Sequence, residues 1–280
     1  MGRRMPSETP TSHTGFSHQN AAARLTASVV SHGQAHLLNA LISDLIQHAG
    51  PQLQRLVVTL NVSESEPVRA EGAPFEVVVV HNDRPRGFGA NHNRAFRHCE
   101  TPWFAVLNPD VRFSDDALSL LLAARNCKDG VIAPLVVNAD GSAADAARRL
   151  PTPLQVTMRR LMPSRRRIAP DYDWLAGMCL VMSSVAFRSV GGFDERYFLY
   201  CEDTDLCLRL QLAGWGLRHV PQVLVTHDAR RASHRSLRPF LWHVTSLIRL
   251  WTSLPYWAYL VRRRRLATQR QSGPAAGTGA

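Results

Sequence analysis

Apolar residues collect in short runs over 25–31 (LTASVVS), 53–60 (LQRLVVTL), 75–80 (FEVVVV), 103–107 (WFAVL) and 131–137. Runs of this length, rich in β-branched residues and bounded by polar or turn residues, predict strands. The unbroken FEVVVV run predicts a strand buried on both faces. Between the runs the period changes. Leu37, Leu38, Leu41, Leu45 and Ile46 recur at helical spacing, 93–98 can begin a helix, and 115–125 predicts another with Asp115 and Asp116 at its positive end. Strands alternating with helices predict an α/β fold built on a Rossmann-like, mostly parallel sheet flanked by helices. Ligands of such sheets sit at the carboxyl ends of the strands.

The second half is less regular. Asp140-Gly141 reads as a turn, 148–170 as an Arg- and Pro-rich loop, 174–187 as a short apolar stretch and 191–195 (GGFDE) as a turn. Residues 202–213 predict a helix with Leu206, Leu210 and Ala213 as its stripe, and 220–225 a last strand followed by His227. Residues 240–266 form an aromatic and basic helical segment. The expected organisation is a disordered arm over 1–23, a catalytic domain over 24–235, this helical extension over 236–266 and a disordered tail over 267–280.

Composition narrows the setting. The arm lacks an apolar core for a signal peptide, and the most apolar late stretch, 240–261, is interrupted by His243, Arg249 and Pro255, so no bilayer-spanning helix is expected. Five scattered cysteines without a CxxC pair suit a reduced, cytosolic compartment. The formal charge of +11 is concentrated: residues 228–270 carry ten Arg and one Asp, leaving about +2 elsewhere. Such a segment suits an anionic partner, a membrane surface or a nucleic acid. No zinc-finger, RNA-binding or basic-zipper pattern supports nucleic acid. Trp242, Leu247, Leu250, Trp251, Leu254, Trp257 and Tyr259 interleave with arginines ending in 262–265. Two readings stay open: a peripheral helix on the anionic inner face of the plasma membrane, or aromatics packed on the domain with solvated arginines.

Three clusters could carry chemistry. Asn108-Pro109-Asp110 follows the fourth strand, where a carboxylate can bind a hard cation or simply end the strand in an Asn-Pro turn. Glu202-Asp203-Thr204-Asp205 puts three acids in a first helical turn. They can complement the helix dipole or, against the aromatic stretch 197–201, supply a general base. Residues 87–93 (GFGANHN) form either a tight loop into a helix or a place where backbone approaches a phosphate. His92 stands where a dinucleotide fingerprint needs its third glycine, and no GxxxxGK[ST] occurs.

These segments in this order resemble glycosyltransferase family 2, in particular its bacterial rhamnosyltransferase-like members. VVSHG, GFGANHNRAF, FAVLNPDV, ADG, WLAGMCLVMSSVAF, VGGFDERYFLYCEDTDLCLRLQLAGW and VPQVLVTH carry the resemblance from about residue 26 to about 234, most specifically over 191–215. It implies a GT-A fold and an inverting glycosyltransferase that uses Mg²⁺ or Mn²⁺. The best-matched reaction is transfer of rhamnose from dTDP-rhamnose to a glycan acceptor, lipid-linked in many relatives, in cell-surface polysaccharide synthesis. By the same resemblance Asp110 takes the metal position, with Asn108 in place of the first acid and His227 completing the site. Asp203 takes the catalytic base position, supported by Glu202 and Asp205. Ser31, His32, Asn61, Asn82, Gly87, Gly89 and Asn93 would surround the nucleotide, and Trp174 and Gly177 the donor sugar and acceptor.

Two departures matter. His32 stands where the family often has an aromatic residue, and Leu60-Asn61 where it often has Asp-Asn. Leu60 cannot hydrogen-bond a base, which leaves the nucleotide open. The alternatives are transfer of galactofuranose, glucose or mannose, or a non-catalytic nucleotide-sugar-binding member of the same fold.

Overall fold

A computed structural model describes residues 24–67, 72–144, 146–153, 171–227 and 237–271. The arm expected over 1–23, most of the loop expected over 148–170 and the end of the tail lie outside these residues. The elements in chain order are β1 Leu25–Ser31, α1 Ala35–His48, β2 Leu53–Leu60, β3 Glu76–His81, α2 Phe88–Phe96, β4 Trp103–Leu107, β5 Val111–Arg112, α3 Ala117–Ala123, β6 Asp129–Asn138, β7 Ala147–Arg148, β8 Trp174–Leu175, β9 Cys179–Ser183, α4 Ser184–Ser189, α5 Glu202–Leu212, β10 Gly216–His227, α6 Leu237–Thr252 and α7 Leu254–Gln271.

Eight strands form one sheet in the order β3-β2-β1-β4-β9-β6-β10-β5, and β7 pairs with β8 in a second, two-stranded sheet. The expected parallel half is present: β3, β2, β1 and β4 run together. The remainder is mixed. β9 enters antiparallel between β4 and β6, β10 runs parallel to β6, and β5 closes the edge antiparallel to β10. β9 comes from the apolar 174–187 stretch, whose length alone could not distinguish a strand from a helix.

Other expectations need adjustment. β3 is an edge strand, and of the 75–80 run only Phe75 and Val80 are buried, so FEVVVV marks the strand correctly but not its burial. β1 and β4, which have neighbours on both sides, are buried at all but one residue each, Val30 and Trp103. α2 begins at Phe88, so most of GFGANHN is helix and not loop. α3 is shorter than expected because Asp116 is its N-cap, accepting from the Ser119 amide at 3.2 Å.

α1 buries Leu37, Leu38, Leu41, Ile42 and Leu45 against one side of the sheet, in a core shared with β1, β2 and α3. The other side holds a cluster of aromatic residues: Phe96, Phe104, Phe187 and Phe193 pack edge-on or tilted at ring separations of 4.8–5.6 Å. The 240–266 segment is two helices, broken at Ser253. The Ser253 hydroxyl accepts from the Tyr256 amide, and Pro255 sits in the first turn of α7, where a missing N–H costs nothing. α7 runs past 266 to Gln271.

A buried carboxylate ties α7 to the domain. Asp173 is 4% exposed. It accepts from the Leu150 amide at 2.7 Å and the Tyr259 hydroxyl at 2.8 Å, and lies 3.1 Å from the Arg263 guanidinium. Its own carbonyl accepts from Gln211 on α5. A hydroxyl bonded to a buried charge contributes about 1.5–3 kcal/mol. Tyr259→Phe should therefore lower unfolding free energy by about that amount, read from urea denaturation. An unchanged midpoint would show that this bond does not hold α7 in place.

Candidate active site

The carboxyl ends of β1, β2, β3 and β4 carry Ser31, Asn61, Asn82 and Asn108 in a row, because parallel pairing aligns the strands there. The Asn61 amide donates to the Ser31 carbonyl and the Asn82 amide to the Leu60 carbonyl, so the ladder continues one step past the strands. Side chains then form a network. Asn61 accepts from the Arg86 amide at 2.8 Å and from Asn82 at 2.8 Å, and donates to the Arg86 carbonyl and to the His32 ring. Asn82 also donates to Asn91, and Arg94 donates to Asn82. Ser31 donates to Glu64 at 2.8 Å, and Glu64 also accepts from the Gly33 amide.

Asn91, Arg94 and Glu64 are parts of this cluster that sequence reasoning did not select. Asn91 stood inside GFGANHN, one turn from Gly87 along the helix, and could have been found there. Glu64 had no signal. His92 of the same motif is wholly buried, bonded to Ser28 on β1 at 2.8 Å, and burial pushes its pKa down to about 3, so it is a neutral core residue.

Gly87, Gly89 and Asn93, expected around the nucleotide, pack against the 193–198 loop. A Cβ on Gly87 would lie 2.8 Å from the Phe198 carbonyl oxygen, and one on Gly89 2.6 Å from the Phe193 Cβ. Asn93 accepts from the Phe193 amide and donates to its carbonyl and to Glu195. The three residues let α2 and the 193–198 loop approach backbone to backbone, which fixes the loop that leads into α5.

That loop is held in an uncommon conformation. Tyr200 and Cys201 have φ of 73° and 64°, which costs a non-glycine residue on the order of 1–3 kcal/mol each. Helix α6 compensates. Ser246 donates to the Leu199 carbonyl at 2.9 Å, Trp242 packs on Phe198, and His243 on Tyr200. The result is that α5 starts abruptly and presents its first-turn acids in three directions.

The three acids differ sharply. Asp205, 2% exposed, is bonded to Arg209 one turn on at 2.7 Å, and Arg209 also donates to the Val190 and Gly192 carbonyls. Glu202 is 5% exposed, and its Oε2 has no partner among the described residues. Burial, then the neighbouring Asp203, raises its pKa well above the usual carboxylate range. Asp203 is partly exposed. Its Oδ2 accepts from the Gly177 amide at 3.0 Å and its Oδ1 from the Thr204 amide at 2.7 Å. Burial raises its pKa, while the Gly177 amide and the positive charge of Arg148 act against that rise. The Arg148 guanidinium lies over the Trp174 ring at 5.0 Å, and the Trp174 indole donates to the Arg149 carbonyl. Arg148 is a further member that had no sequence signal, since its position depends on the β7–β8 pairing.

The second acidic site forms across the sheet edge. β5 pairs with the end of β10, His227 opposite Val111, which sets His227 Nε2 3.1 Å from Asp110 Oδ2. Asp110 Oδ1 is buried and has no partner. Among the described residues no group of three or more His, Cys, Asp or Glu could hold a metal ion. One carboxylate and one imidazole, with a carboxylate oxygen left over, fit a divalent cation that takes its remaining ligands from a diphosphate. The two sites are linked: the Asn108 amide donates to the Met178 carbonyl at 2.9 Å, next to the Gly177 amide that holds Asp203.

The burial of Glu202 has a pH consequence. A carboxyl whose folded pKa is raised binds a proton in the folded state over the window between its unfolded and folded values, so stability falls as pH rises through that window. Glu202→Gln should be more stable than wild type at neutral pH, with the gain shrinking as pH falls toward about 4, the unfolded value. Urea midpoints of both proteins across that range measure it. A gain independent of pH would remove the assignment of a buried, costly charge.

Residues 23–241 match the model of "Glycosyltransferase like family 2". The chain is 30% identical over 233 aligned positions to the N-acetylglucosaminyl-diphospho-decaprenol L-rhamnosyltransferase of Mycobacterium tuberculosis, covering 66% of this chain and 75% of the relative. It is 27% identical over 261 positions to the rhamnosyltransferase WbbL of Escherichia coli K12, covering 86% and 94%. Its fold resembles the mannosyltransferase PcManGT from Pyrobaculum calidifontis, solved with GDP-Man and Mn²⁺, at TM-score 0.59 and 16% identity over 90% of this chain and 76% of that one. It also resembles GalNAc-T7, solved with UDP, GalNAc and Mn²⁺, at TM-score 0.58 and 16% identity over 75% and 45%. The fold is GT-A, and the chain is a glycosyltransferase that belongs to family 2, among its rhamnosyltransferase-like members.

Proposed function

We propose that this chain transfers rhamnose, with inversion, from a nucleoside-diphosphate donor to a hydroxyl of a lipid-linked glycan acceptor in cell-surface polysaccharide synthesis, at the cytoplasmic side of a membrane. The rhamnosyl donor and the lipid-linked acceptor rest on the two rhamnosyltransferase relatives, one of which is named for a decaprenol-linked substrate. The observation that carries the mechanism is the division among the first-turn acids of α5. Asp205 is committed to Arg209 and Glu202 is enclosed, so Asp203 is the one an acceptor can touch.

Asp203 is the general base. The Gly177 and Thr204 amides orient its carboxylate and favour its ionised form. It takes the proton of the acceptor hydroxyl as that oxygen bonds to the anomeric carbon from the face opposite the diphosphate. The bond from the anomeric carbon to the diphosphate oxygen breaks, and its electron pair leaves with the nucleoside diphosphate. Asp110 and His227 would hold a divalent cation, Mg²⁺ or Mn²⁺, which neutralises charge on the departing diphosphate. Ser31, Asn61 and Asn82 lie where the nucleotide of an open α/β sheet binds. Most of the rate enhancement comes from alignment of acceptor and donor.

Asp203→Asn should lower transfer by about 10²–10⁴-fold, the usual contribution of a general base, while donor binding measured calorimetrically survives. Loss of donor binding in a folded variant would count against a purely catalytic role. Asp110→Ala should weaken donor binding in the presence of Mg²⁺ or Mn²⁺ and leave metal-free binding unchanged. Equal donor affinity of wild type with and without the ion would sink the metal assignment. A panel of nucleotide-sugars scored by metal-dependent thermal stabilisation identifies the donor, since a ligand that binds only the folded state raises the melting temperature. Stabilisation by UDP- or GDP-sugars and not by dTDP-rhamnose would replace the rhamnosyl reading.

A further inference from the structure

Helices α6 and α7 each bury one face. Leu247, Leu250, Tyr256 and Tyr259 pack with Leu150, Tyr197, Cys201 and Leu208 of the domain. The outward face of the pair is also apolar. Leu241, Val244 and Ile248 on α6, and Leu254, Trp257 and Val261 on α7, recur at helical spacing and stand exposed, Leu254 by 85%, Trp257 by 56% and Ile248 by 54%. The Trp257 indole donates to the Trp251 carbonyl at the end of α6, so its ring bridges the two helices. No helix among the described residues is long and apolar enough to cross a membrane.

The charges around this face have one sign. No Asp or Glu occurs after Asp228. Arg262 and Arg263 are tied down on the Gln211 carbonyl and Asp173. Arg264 and Arg265 follow Val261 on α7, are exposed, and have no ion pair among the described residues. An apolar stripe of aliphatic residues with a tryptophan and flanking free arginines matches the boundary between headgroups and acyl chains. A second copy of the chain fits worse, because its equally basic segment would be repelled. Nucleic acid fits worse, because a stripe of Leu, Ile and Val with one tryptophan offers successive bases little stacking surface.

We propose that the outward face of α6 and α7 is a docking surface for an anionic lipid leaflet, with Ile248, Leu254, Trp257 and Val261 entering the interface and Arg264 and Arg265 meeting the headgroups. The same α6 grips the loop before the acidic helix through Ser246 and Leu199. A docked α6 therefore holds the loop before Asp203 toward the bilayer, which suits the lipid-linked acceptor of the proposed function. The docking surface itself does not depend on that reading.

Co-sedimentation of the full chain with vesicles of phosphatidylcholine, alone or mixed with phosphatidylglycerol, tests the proposal. Wild type should partition at least about ten-fold more strongly onto the anionic vesicles, as two or more arginines near the surface provide. Leu254→Glu/Trp257→Glu should lose binding to both, and Arg264→Glu/Arg265→Glu should lose the preference for anionic vesicles. Both variants should keep the wild-type melting temperature and its donor-induced rise, so a failed donor reading is read separately from a failed docking surface. The second variant changes only exposed side chains and remains informative if the first misfolds. Equal sedimentation of wild type and either folded variant with anionic vesicles would overturn the proposal. So would a lipid-free dimer that the first variant converts to monomer without change in vesicle binding, which would assign the face to a second copy.

Discussion

Strand β9 runs against both of its neighbours, and the candidate site is built around that reversal. Its register with β4 sets Leu107 opposite Cys179, so the two residues before β9 arrive where β4 ends. Met178 then accepts from Asn108, and Gly177 turns its amide toward Asp203. A parallel strand in this place would bring its other end to this edge, and Gly177 would lie at the opposite edge of the sheet. On the other side β6 aligns β10, and β10 aligns β5, which returns His227 to Asp110. The acid of the first site and the imidazole of the second are thus joined by main-chain pairing through four strands, with no dependence on long flexible side chains.

The acidic helix shows how one fold separates three like charges. Burying a carboxylate is costly unless a partner compensates it. Asp205 has such a partner in Arg209. Asp203 has two backbone amides and the nearby charge of Arg148. Glu202 has little compensation, and its raised pKa is the expression of that cost. Two adjacent residues in left-handed conformation precede these acids, and both sides of the loop are clamped, by α2 at Gly87, Gly89 and Asn93 and by α6 at Trp242, His243 and Ser246. Strain of this kind persists only where the surroundings over-determine it.

The sequence carried the frame of the site more fully than its details. Each parallel strand was legible because an apolar run has a fixed length and ends in a polar residue; the same rule marked Asn108-Pro109-Asp110, whereas Ser31, Asn61 and Asn82 came from the family resemblance. The reversal at β9 was not legible, since direction leaves no trace in a five-residue apolar run. The packing role inside GFGANHN was not legible for a related reason. A glycine records that something approaches closely, and it does not record whether that neighbour is a phosphate or, as at Gly87 and Gly89, another stretch of the same chain. Glu64 and Arg148 could not be found in advance because their positions are fixed by distant pairings.

The C-terminal segment posed a choice between packing on the domain and lying on a membrane, as though one set of aromatic residues had to do either. Helical geometry removes the choice. Leu247, Leu250, Tyr256 and Tyr259 point inward and join the domain core, while Ile248, Leu254, Trp257 and Val261, interleaved with them, point outward. The break at Ser253 separates the two inward sets, Leu247 and Leu250 on α6 and Tyr256 and Tyr259 on α7. The inward face supplies the clamp on the loop before Asp203. The helix that presents part of the outward face thus also supports the loop before Asp203, through packed side chains and the bond from Ser246 to the Leu199 carbonyl.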